Sequence, residues 1–439
     1  MKLQNVLCLL LLFVALSSTL FAQELPQGIA PGEERYLSPR VGALAKELAA
    51  GNRAALEKFW EEVSKQGTPL VEPVAQSEKY RWVTFLWRGK QNLRWVSLLC
   101  DMTESVEELK AMLRLRDTDV WYRTLKLRTD TRMAYAFAVD PGEQIPSNVT
   151  VVAEPGSFPT DPFTPRRSSP SNLFGSLCEL SDAPPQPWIT RQPDVPVGQV
   201  KWQSFKSEKL KNERQIGVYT PPDYRANGQP YGLLFVFDGR AYTSLIPTPV
   251  ILDNLLAKKL LPPVVAVFIG HTKPDRRDEE LACNAEFTDF LAQELVPWVR
   301  QRYRVTTKPQ QTIIAGSSLG GLAASFAALR HPNIFGNVLS QSGSYDWSPE
   351  FAKREADEES EWLIKQFVAK EKLPVRFYLE AGLLEGSLLA ANRHLRDVLQ
   401  AKSYEVQYRE FYGGHDYFNW RGTFADGLLA LLGKAKKPQ

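Results

Sequence analysis

The chain has 439 residues, 44% of them hydrophobic, and a formal net charge of +3. This length is sufficient for two domains that each bury a core. The near balance of acidic and basic residues gives no case for a nucleic-acid partner. The sequence contains no C-x-x-C pair and no histidine-rich cluster, so we predict neither a bound metal nor a cofactor.

The first 23 residues have the pattern of an export signal. Lys2 supplies a positive start, residues 6–16 are apolar, and the small residues that follow end in a cleavage point near Ala22. The apolar stretch is short for a membrane-spanning helix. We therefore expect a periplasmic or secreted protein that keeps no stable membrane anchor after cleavage.

Residues 24–153 are predicted to form an N-terminal domain. Apolar residues at helical spacing between 41 and 66 indicate a helical segment, and short alternating strands from Tyr80 to Val152 indicate a small β-sandwich. Ten prolines lie between residues 155 and 196. We interpret residues 154–196 as an extended linker, because so many prolines are unsuited to a packed element.

Strand and helix patterns alternate from residue 197 to 439. This alternation predicts an α/β domain with a doubly wound, mostly parallel sheet. Within it, residues 314–321 read as a strand, a G-x-S-x-G turn and the start of a helix. This context is that of an α/β-hydrolase, in which the turn holds a serine hydroxyl, here Ser318, in a strained and exposed position. Gly316 and Gly320 are expected to be required for steric reasons. The alternative is a small-residue turn without a catalytic role.

The general base follows the serine and the acid in the sequence of this fold. His331 and His394 belong to predicted helices, and His271 precedes the serine. His415 lies on a Gly-Gly loop between the last predicted strand and the terminal helix. A histidine on that loop can reach over the sheet edge to Ser318, so we predict that His415 is the base.

The acid is expected in the loop after the penultimate strand. Glu385 lies in that loop and is the predicted acid, whereas Glu380, at the strand end, is an alternative. A Ser–His dyad or another carboxylate also remains open. Asp416 adjoins His415, but adjacent side chains seldom face each other well enough to hydrogen-bond.

An oxyanion hole needs two backbone N–H donors. The first is predicted at Leu319, directly after the nucleophile. The second is predicted after the apolar strand 233–237, at Gly239 or Arg240, because a glycine lets the backbone turn inward. Asp238-Gly239 is equally compatible with an ordinary turn.

Several longer runs of the chain match the pattern of one known family. These runs are residues 68–73 (TPLVEP), 83–89 (VTFLWRG), 118–124 (TDVWYRT), 277–297, 316–321 (GSSLGG), 340–344 (SQSGS), 413–416 (GGHD) and 420–422 (WRG). In their combination the chain resembles the two-domain enterochelin (enterobactin) esterases of the α/β-hydrolase superfamily. That resemblance implies hydrolysis of the ester backbone of a cyclic tri-catecholate siderophore, often with iron bound. It also implies the set Ser318, Glu385 and His415 and an N-terminal sandwich that shapes the pocket. Typical two-domain members are cytoplasmic, whereas this chain has the pattern of an export signal.

A ferric tri-catecholate is anionic, so its pocket should be positive and lined by aromatic rings. Each candidate could equally be a structural ion pair or a core aromatic. Arg277 is the most easily explained structurally, by a pair with Glu280 one helical turn on. The candidates for substrate binding are Arg240, Arg277, Trp347, Trp420 and Arg421.

Two other functions compete with this one. An exported carboxylesterase could act on feruloyl or acetyl sugar esters, with N-terminal tryptophans that stack on glycan. A non-catalytic siderophore-binding protein could keep the elbow without turnover, although an intact Ser318 and His415 argue against it.

Overall fold

The computed structural model describes residues 36–90, 93–100, 111–115, 117–139, 159–166, 175–272, 276–349 and 360–433. They fall into two units that divide between Pro184 and Pro185. The predicted export signal, residues 1–23, lies outside the described residues. Within the described ranges, no helix is both long and apolar enough to cross a membrane.

Two helices open the N-terminal unit, Pro39–Ala49 and Ala54–Gln66. The strands form two antiparallel sheets, β1-β2-β5-β4 and β3-β6-β7. These strands are β1 Leu70–Val74, β2 Ser77–Arg88, β3 Val96–Cys100, β4 Leu113–Arg114, β5 Val120–Arg128, β6 Arg132–Val139 and β7 Ser176–Glu179.

Aromatic side chains pack the two sheets of this unit together. The Phe85 and Tyr135 ring centroids lie 4.8 Å apart, and those of Trp87 and Phe137 lie 5.3 Å apart, so β2 of one sheet contacts β6 of the other. Alternating inward residues from two antiparallel sheets are the basis of a sandwich. The predicted helical segment and β-sandwich are both present. Trp121 is 5% exposed, which suits packing better than glycan stacking.

The expectation of an extended linker over residues 154–196 is wrong in two places. The proline-free segment Ser176–Glu179 is a strand, and Cys178 pairs with Met133 of β6. Farther on, the Asn254 side chain donates hydrogen bonds of 2.8 and 2.9 Å to the carbonyls of Trp188 and Thr190. The prolines therefore separate packed pieces of chain, because a side-chain amide supplies the partners that an irregular backbone needs.

The C-terminal unit contains an eight-stranded sheet in the order β15-β14-β13-β12-β10-β11-β9-β8. Strands β10 to β15 are parallel, and the hairpin of β8 and β9 adds an antiparallel edge next to β11. The strands are β8 Gln199–Ser207, β9 Asn212–Thr220, β10 Gly232–Val236, β11 Val264–Ile269, β12 Thr312–Ser317, β13 Asn337–Gln341, β14 Arg376–Gly382 and β15 Glu405–Phe411.

Helices cover both faces of this sheet. The elbow helix, Leu319–Arg330, lies on one face, and the terminal helix, Tyr417–Leu432, on the other. Alternate residues of β10 feed the two cores: Leu233 belongs to the first and Leu234 to the second. The remaining helices are Ala241–Ser244, Thr248–Ala257, Arg276–Leu281, Ala285–Phe290, Val296–Arg302, Trp362–Ala369 and Ser387–Ala401, with a π-helical turn at Leu291–Leu295 and a 3-10 turn at Pro309–Gln311.

The strand order positions the site. The chain passes from β10 to β11 on one side and then crosses to β12 on the other, so the order reverses between β10 and β12. A crevice forms at such a point, outside the carboxyl ends of the strands. The loops that carry the predicted nucleophile, oxyanion donors, acid and base all follow carboxyl ends of parallel strands in this sheet.

Candidate active site

Ser318 occupies the sharp turn between β12 and the elbow helix. Its backbone has φ 57° and ψ −127°, a region that non-glycine residues occupy at a cost of about 1–3 kcal/mol. The Ser318 N–H donates to the Gln341 carbonyl at 3.0 Å, which helps to hold the turn. The strand, strained serine and helix form the nucleophile elbow that the sequence predicts.

Close backbone packing explains one of the two predicted glycines. A Cβ on Gly316 would lie 2.7 Å from the Gly320 carbonyl carbon, whereas a Cβ on Gly320 would meet nothing closer than 3.4 Å. The steric requirement at Gly320 is therefore wrong. It falls instead on Gly321, where a Cβ would lie 2.4 Å from Ser340 Oγ, because this residue faces β13.

His415 lies on the loop between β15 and the terminal helix. Its Nδ1 is 3.7 Å from Glu385 Oε2, and its ring packs edge-on against Trp420 with centroids 4.8 Å apart. The other histidines contact carboxylates elsewhere: His331 pairs with Asp289, His394 with Glu361 and His271 with Asp238. The geometry therefore favours His415 as the base.

Glu385 is the carboxylate that faces His415. Its side chain is 0% exposed, and Oε1 accepts a hydrogen bond of 2.7 Å from Ser342 Oγ. Asp416 instead caps the terminal helix by accepting from the Asn419 N–H at 2.9 Å. This arrangement favours Glu385 as the acid, and its catalytic role remains a prediction.

The alternative acid, Glu380, lies in a separate polar network. It accepts from Gln341 Nε2 at 2.7 Å, from the Tyr378 hydroxyl at 3.1 Å and from the Thr423 hydroxyl. Burial raises the pKa of Glu380 to about 7. Its hydrogen-bond partners among the described residues do not include His415, so Glu380 is not placed to orient the base.

The predicted nucleophile, Ser318, has a hydroxyl neighbour that the sequence did not reveal. Ser318 Oγ lies 3.2 Å from Ser344 Oγ, in the loop after β13. Within the described ranges, no hydrogen bond joins Ser318 Oγ to His415. Catalytic hydrogen bonds are often long in unliganded enzymes and shorten when substrate binds. The run from Ser340 to Ser344, noted above only for its resemblance, was the signal available.

One of the two predicted positions for the second oxyanion donor is wrong. The Gly239 N–H donates to the Ile269 carbonyl at 2.9 Å, so it is occupied within the sheet. No acceptor in the described part of the chain binds the N–H of Arg240 or of Leu319. These two remain the candidates. Gly239 is nevertheless required, since a Cβ there would lie 2.8 Å from the Phe268 carbonyl carbon.

A buried cluster of charged side chains fixes the loop after β10, which carries Arg240. Asp238 has φ 52° and accepts from Arg277 Nε at 2.7 Å, Arg277 Nη2 at 2.9 Å and His271 Nε2 at 2.7 Å. Burial favours the neutral acid, yet the Arg277 guanidinium and the His271 ring hold the pKa of Asp238 well below its usual value. His271 Nδ1 also lies 3.8 Å from Glu280, which forms a bidentate pair with Arg214.

This cluster corrects the prediction for Arg277. The guanidinium forms a buried bidentate pair with Asp238, 39 residues away in sequence, and not the predicted pair with Glu280. Trp420 was also predicted to bind substrate, but it is 3% exposed and its N–H donates to Ser342 Oγ at 3.0 Å. A buried ring with a committed N–H cannot stack on a ligand, so that prediction is wrong too.

The remaining candidates for substrate binding differ in their surroundings. The exposed Arg240 guanidinium lies 3.8 Å from the centroid of the Trp202 ring. Arg421 donates to Gln186 Oε1 at 2.8 Å and lies over the Phe418 ring. Trp347 is half-buried and packs edge-on against Trp362. These three remain predicted substrate-binding residues, and Trp202 joins them as a residue that the sequence did not reveal.

A serine on a strained elbow, a histidine beyond the last strand and a buried carboxylate on a mostly parallel sheet define a serine esterase of the α/β-hydrolase fold. Comparison with known proteins is more specific. Residues 207–431 match the family model described as a putative esterase, and residues 82–189 match the N-terminal model of enterochelin esterases. The chain belongs to the enterochelin esterase family.

Individual relatives agree over most of the chain. The iron(III) enterobactin esterase of Escherichia coli O6:H1 is 33% identical over 376 residues, which is 80% of this chain and 90% of the relative. The solved ferric enterobactin esterase of Salmonella typhimurium is 28% identical with a TM-score of 0.69, over 85% of this chain and 98% of that one. The Shigella flexneri enterobactin esterase, solved in the presence of enterobactin, is 29% identical with a TM-score of 0.67. The match covers 85% of this chain and 97% of that one.

Proposed function

We propose that this protein is a serine esterase that hydrolyses the ester bonds of a catecholate siderophore of the enterobactin type, ferric or iron-free, and so releases iron. One observation carries the proposal. Besides an esterase unit, the chain has an N-terminal unit that matches the family model of enterochelin esterases. Relatives named as iron(III) enterobactin and salmochelin esterases match both parts of the chain.

The proposed reaction assigns one role to each of the three side chains. Ser318 Oγ attacks the ester carbonyl while His415 takes its proton, and Glu385 stabilises the imidazolium. The proton then passes from His415 to the leaving alkoxide, which departs as an alcohol and leaves an acyl-enzyme. Water, activated by His415, attacks this ester, releases the acid and restores Ser318.

The oxyanion of each tetrahedral intermediate would be bound by the N–H groups of Leu319 and Arg240. A donor of this kind typically contributes about 3 kcal/mol to transition-state stabilisation. The Arg277 fork on Asp238 fixes the loop that presents Arg240. The charge cluster therefore serves catalysis through the backbone and needs no contact with the substrate.

Substrate charge agrees with the surroundings of Arg240. Its guanidinium is exposed and lies over the Trp202 indole, where cation–π stacking holds its plane and leaves its N–H groups in that plane available. Catecholate oxygens are suitable acceptors for a planar donor fork. Arg240 is therefore our first candidate for the recognition of the anionic catecholate.

We also propose that the protein is exported to the periplasm or secreted. Support comes from the sequence of residues 1–23, with Lys2, the apolar segment and the small residues near Ala22. Expression of the full chain in a Gram-negative host, followed by mass spectrometry of the purified protein, tests this. Loss of about the first 22 residues is the expected result; a cytoplasmic protein of full mass would contradict export.

The competing functions have less support. A xylanase/feruloyl esterase of Xylanibacter ruminicola is 26% identical over 190 residues, only 40% of this chain. The binding-protein alternative leaves unexplained why Ser318, His415 and Glu385 are all present on their expected loops.

A substrate panel distinguishes these functions. Purified protein is incubated with ferric enterobactin, iron-free enterobactin and a feruloylated sugar, and the products are separated by HPLC. We expect the trilactone to give linear dihydroxybenzoyl-serine products. Cleavage of the feruloyl ester alone would overturn the siderophore assignment but not the esterase chemistry. Tight binding of ferric enterobactin without turnover would favour the binding protein.

A further inference from the structure

Ser342 has an unusual backbone position for a buried residue. It follows β13 directly, is 0% exposed and has φ 49°. Its N–H donates to the Glu380 carbonyl at 2.7 Å. A non-glycine residue in this left-handed region is strained, and such strain persists where the surrounding structure needs that residue. Glycine would adopt the same backbone without penalty, so the side chain of Ser342 calls for an explanation.

The Ser342 hydroxyl stands between an obligatory donor and an obligatory acceptor. The Trp420 indole N–H donates to Ser342 Oγ at 3.0 Å, and Ser342 Oγ donates to Glu385 Oε1 at 2.7 Å. An indole nitrogen can only donate, and an ionised carboxylate can only accept. Because a hydroxyl has a single proton, the Ser342 hydroxyl accepts from Trp420 and directs its own proton at Glu385.

This chain of bonds leaves the other Glu385 oxygen for the base. Glu385 Oε2 is buried and has no hydrogen-bond partner among the described residues, and the same holds for His415 Nδ1. These two atoms lie 3.7 Å apart. Holding Oε1 on Ser342 therefore sets the rotation of the carboxylate so that Oε2 faces the imidazole.

Trp420 is itself fixed at both ends. Its carbonyl accepts from Gln341 Nε2 at 2.9 Å, and its ring packs edge-on against His415 at 86°. The indole thus contacts the base with its ring and supports the acid through Ser342. Gln341 precedes Ser342 in the chain, which ties the end of β13 to the start of the terminal helix.

We propose that Trp420 and Ser342 form a directional hydrogen-bond relay that positions the Glu385 carboxylate for His415. Both are positioning residues, because they are buried and act through Glu385. The inference rests on the proposed function for the roles of Ser318, Glu385 and His415. Groups that orient a catalytic or metal-binding side chain from outside often change activity about 10- to 100-fold when they are removed.

Ser342→Gly separates a catalytic role from a structural one. Glycine relieves the strain at φ 49°, whereas the lost hydroxyl leaves the buried Trp420 N–H and Glu385 Oε1 without a partner. Because these two effects oppose each other, we expect a melting temperature that is little changed or modestly lowered, together with a kcat about 10-fold lower and an unchanged KM. Ser403→Gly is the matched control. Ser403 also has a positive φ, 61°, but it is exposed and lies between the helix Ser387–Ala401 and β15, away from the loop that carries Ser342. It should gain stability and keep full activity.

Trp420→Phe removes the other end of the relay while it keeps an aromatic ring against His415. We expect a smaller loss of kcat, and a double variant with Ser342→Gly that is no slower than Ser342→Gly alone, because both changes break one chain. If the fold-losses of kcat in the two single variants multiply in the double variant, the relay is overturned. A kcat of Ser342→Gly within twofold of the wild-type value would also overturn it. If Ser342→Gly melts at a much lower temperature than the wild type, Trp420→Phe decides the question. A kcat of Trp420→Phe equal to that of the wild type would overturn the proposal, and a reduced kcat would support it.

Two substrates keep the proposals distinguishable. Every variant is assayed on enterobactin and on p-nitrophenyl acetate, which reports nucleophile activation without siderophore recognition. Wild-type hydrolysis of p-nitrophenyl acetate but not of enterobactin would overturn the proposed substrate, and the p-nitrophenyl series would still decide the relay. No turnover of either substrate by the wild type would overturn both.

Discussion

Replacement of Arg277 by alanine should destabilise the C-terminal unit, which contains the candidate active site, and not merely weaken substrate binding. The change removes two charge-assisted bonds, 2.7 and 2.9 Å long, from a carboxylate that is 6% exposed. Breaking a buried pair typically costs about 3–5 kcal/mol, because one charge is left without its partner. His271 still donates to Asp238 at 2.7 Å, so we expect a loss of about 3 kcal/mol in the free energy of unfolding.

The neighbouring arginine provides the control. Arg276 pairs with Glu279 at 2.6 Å, with side chains that are 59% and 48% exposed. Exposed pairs of this kind contribute less than about 1 kcal/mol, so Arg276→Ala should be nearly neutral. Urea unfolding of the full chain at pH 7, followed by tryptophan fluorescence, compares the two variants on one background.

The pH dependence of this difference gives a second reading. Arg277 and His271 hold the pKa of folded Asp238 below its unfolded value of about 3.9. The stabilisation is therefore complete above that value and is lost as the pH falls toward the folded pKa. The difference in the free energy of unfolding between the wild type and Arg277→Ala should be constant near neutral pH and should become smaller below about pH 4. Equal stability of the two alanine variants, with a raised KM for Arg277→Ala alone, would refute this account and restore Arg277 as a substrate ligand.

Two further predictions concern Glu380 and Arg240. Burial raises the pKa of Glu380 to about 7, so the unfolded chain loses this proton first, and stability should fall by up to about 3 kcal/mol between pH 4.5 and 7. Glu380→Gln should flatten that decline in urea unfolding; an unaltered slope would contradict the assignment. Arg240→Ala should raise the KM for ferric enterobactin about 10-fold, by loss of a charge-assisted contact, and change that for p-nitrophenyl acetate little. Equal losses on both substrates, measured by steady-state kinetics, would count against an anion-binding role.

The parts of the site that the sequence predicted are those encoded by a short local pattern. Ser318 is recognisable because the strand, the turn and the helix are contiguous. His415 and Glu385 follow from the chain order of the fold, since each lies on a loop after a parallel strand. The fold class and the sandwich also follow from local periodicities of 3.6 and 2 residues.

The errors involve partners that are distant in the sequence. Asp238 lies 39 residues before Arg277, and Ser342 lies 78 residues before Trp420. No local periodicity reports such a pair, so Arg277 and Trp420 were interpreted as ligands of the substrate. Gly239 was misassigned for a similar reason, because its N–H is used by Ile269 on the neighbouring strand.

We propose above that Ser318 performs ester hydrolysis on a siderophore trilactone. The most direct measurement compares initial rates of enterobactin hydrolysis by wild type, Ser318→Ala and Ser317→Ala, with folding checked by circular dichroism. Ser317 precedes the nucleophile and is 1% exposed, so its loss controls for perturbation of the elbow. We predict a loss of at least about 10⁴-fold for Ser318→Ala and retained hydrolysis for Ser317→Ala. A folded Ser318→Ala protein that hydrolyses enterobactin at the wild-type rate would contradict the account.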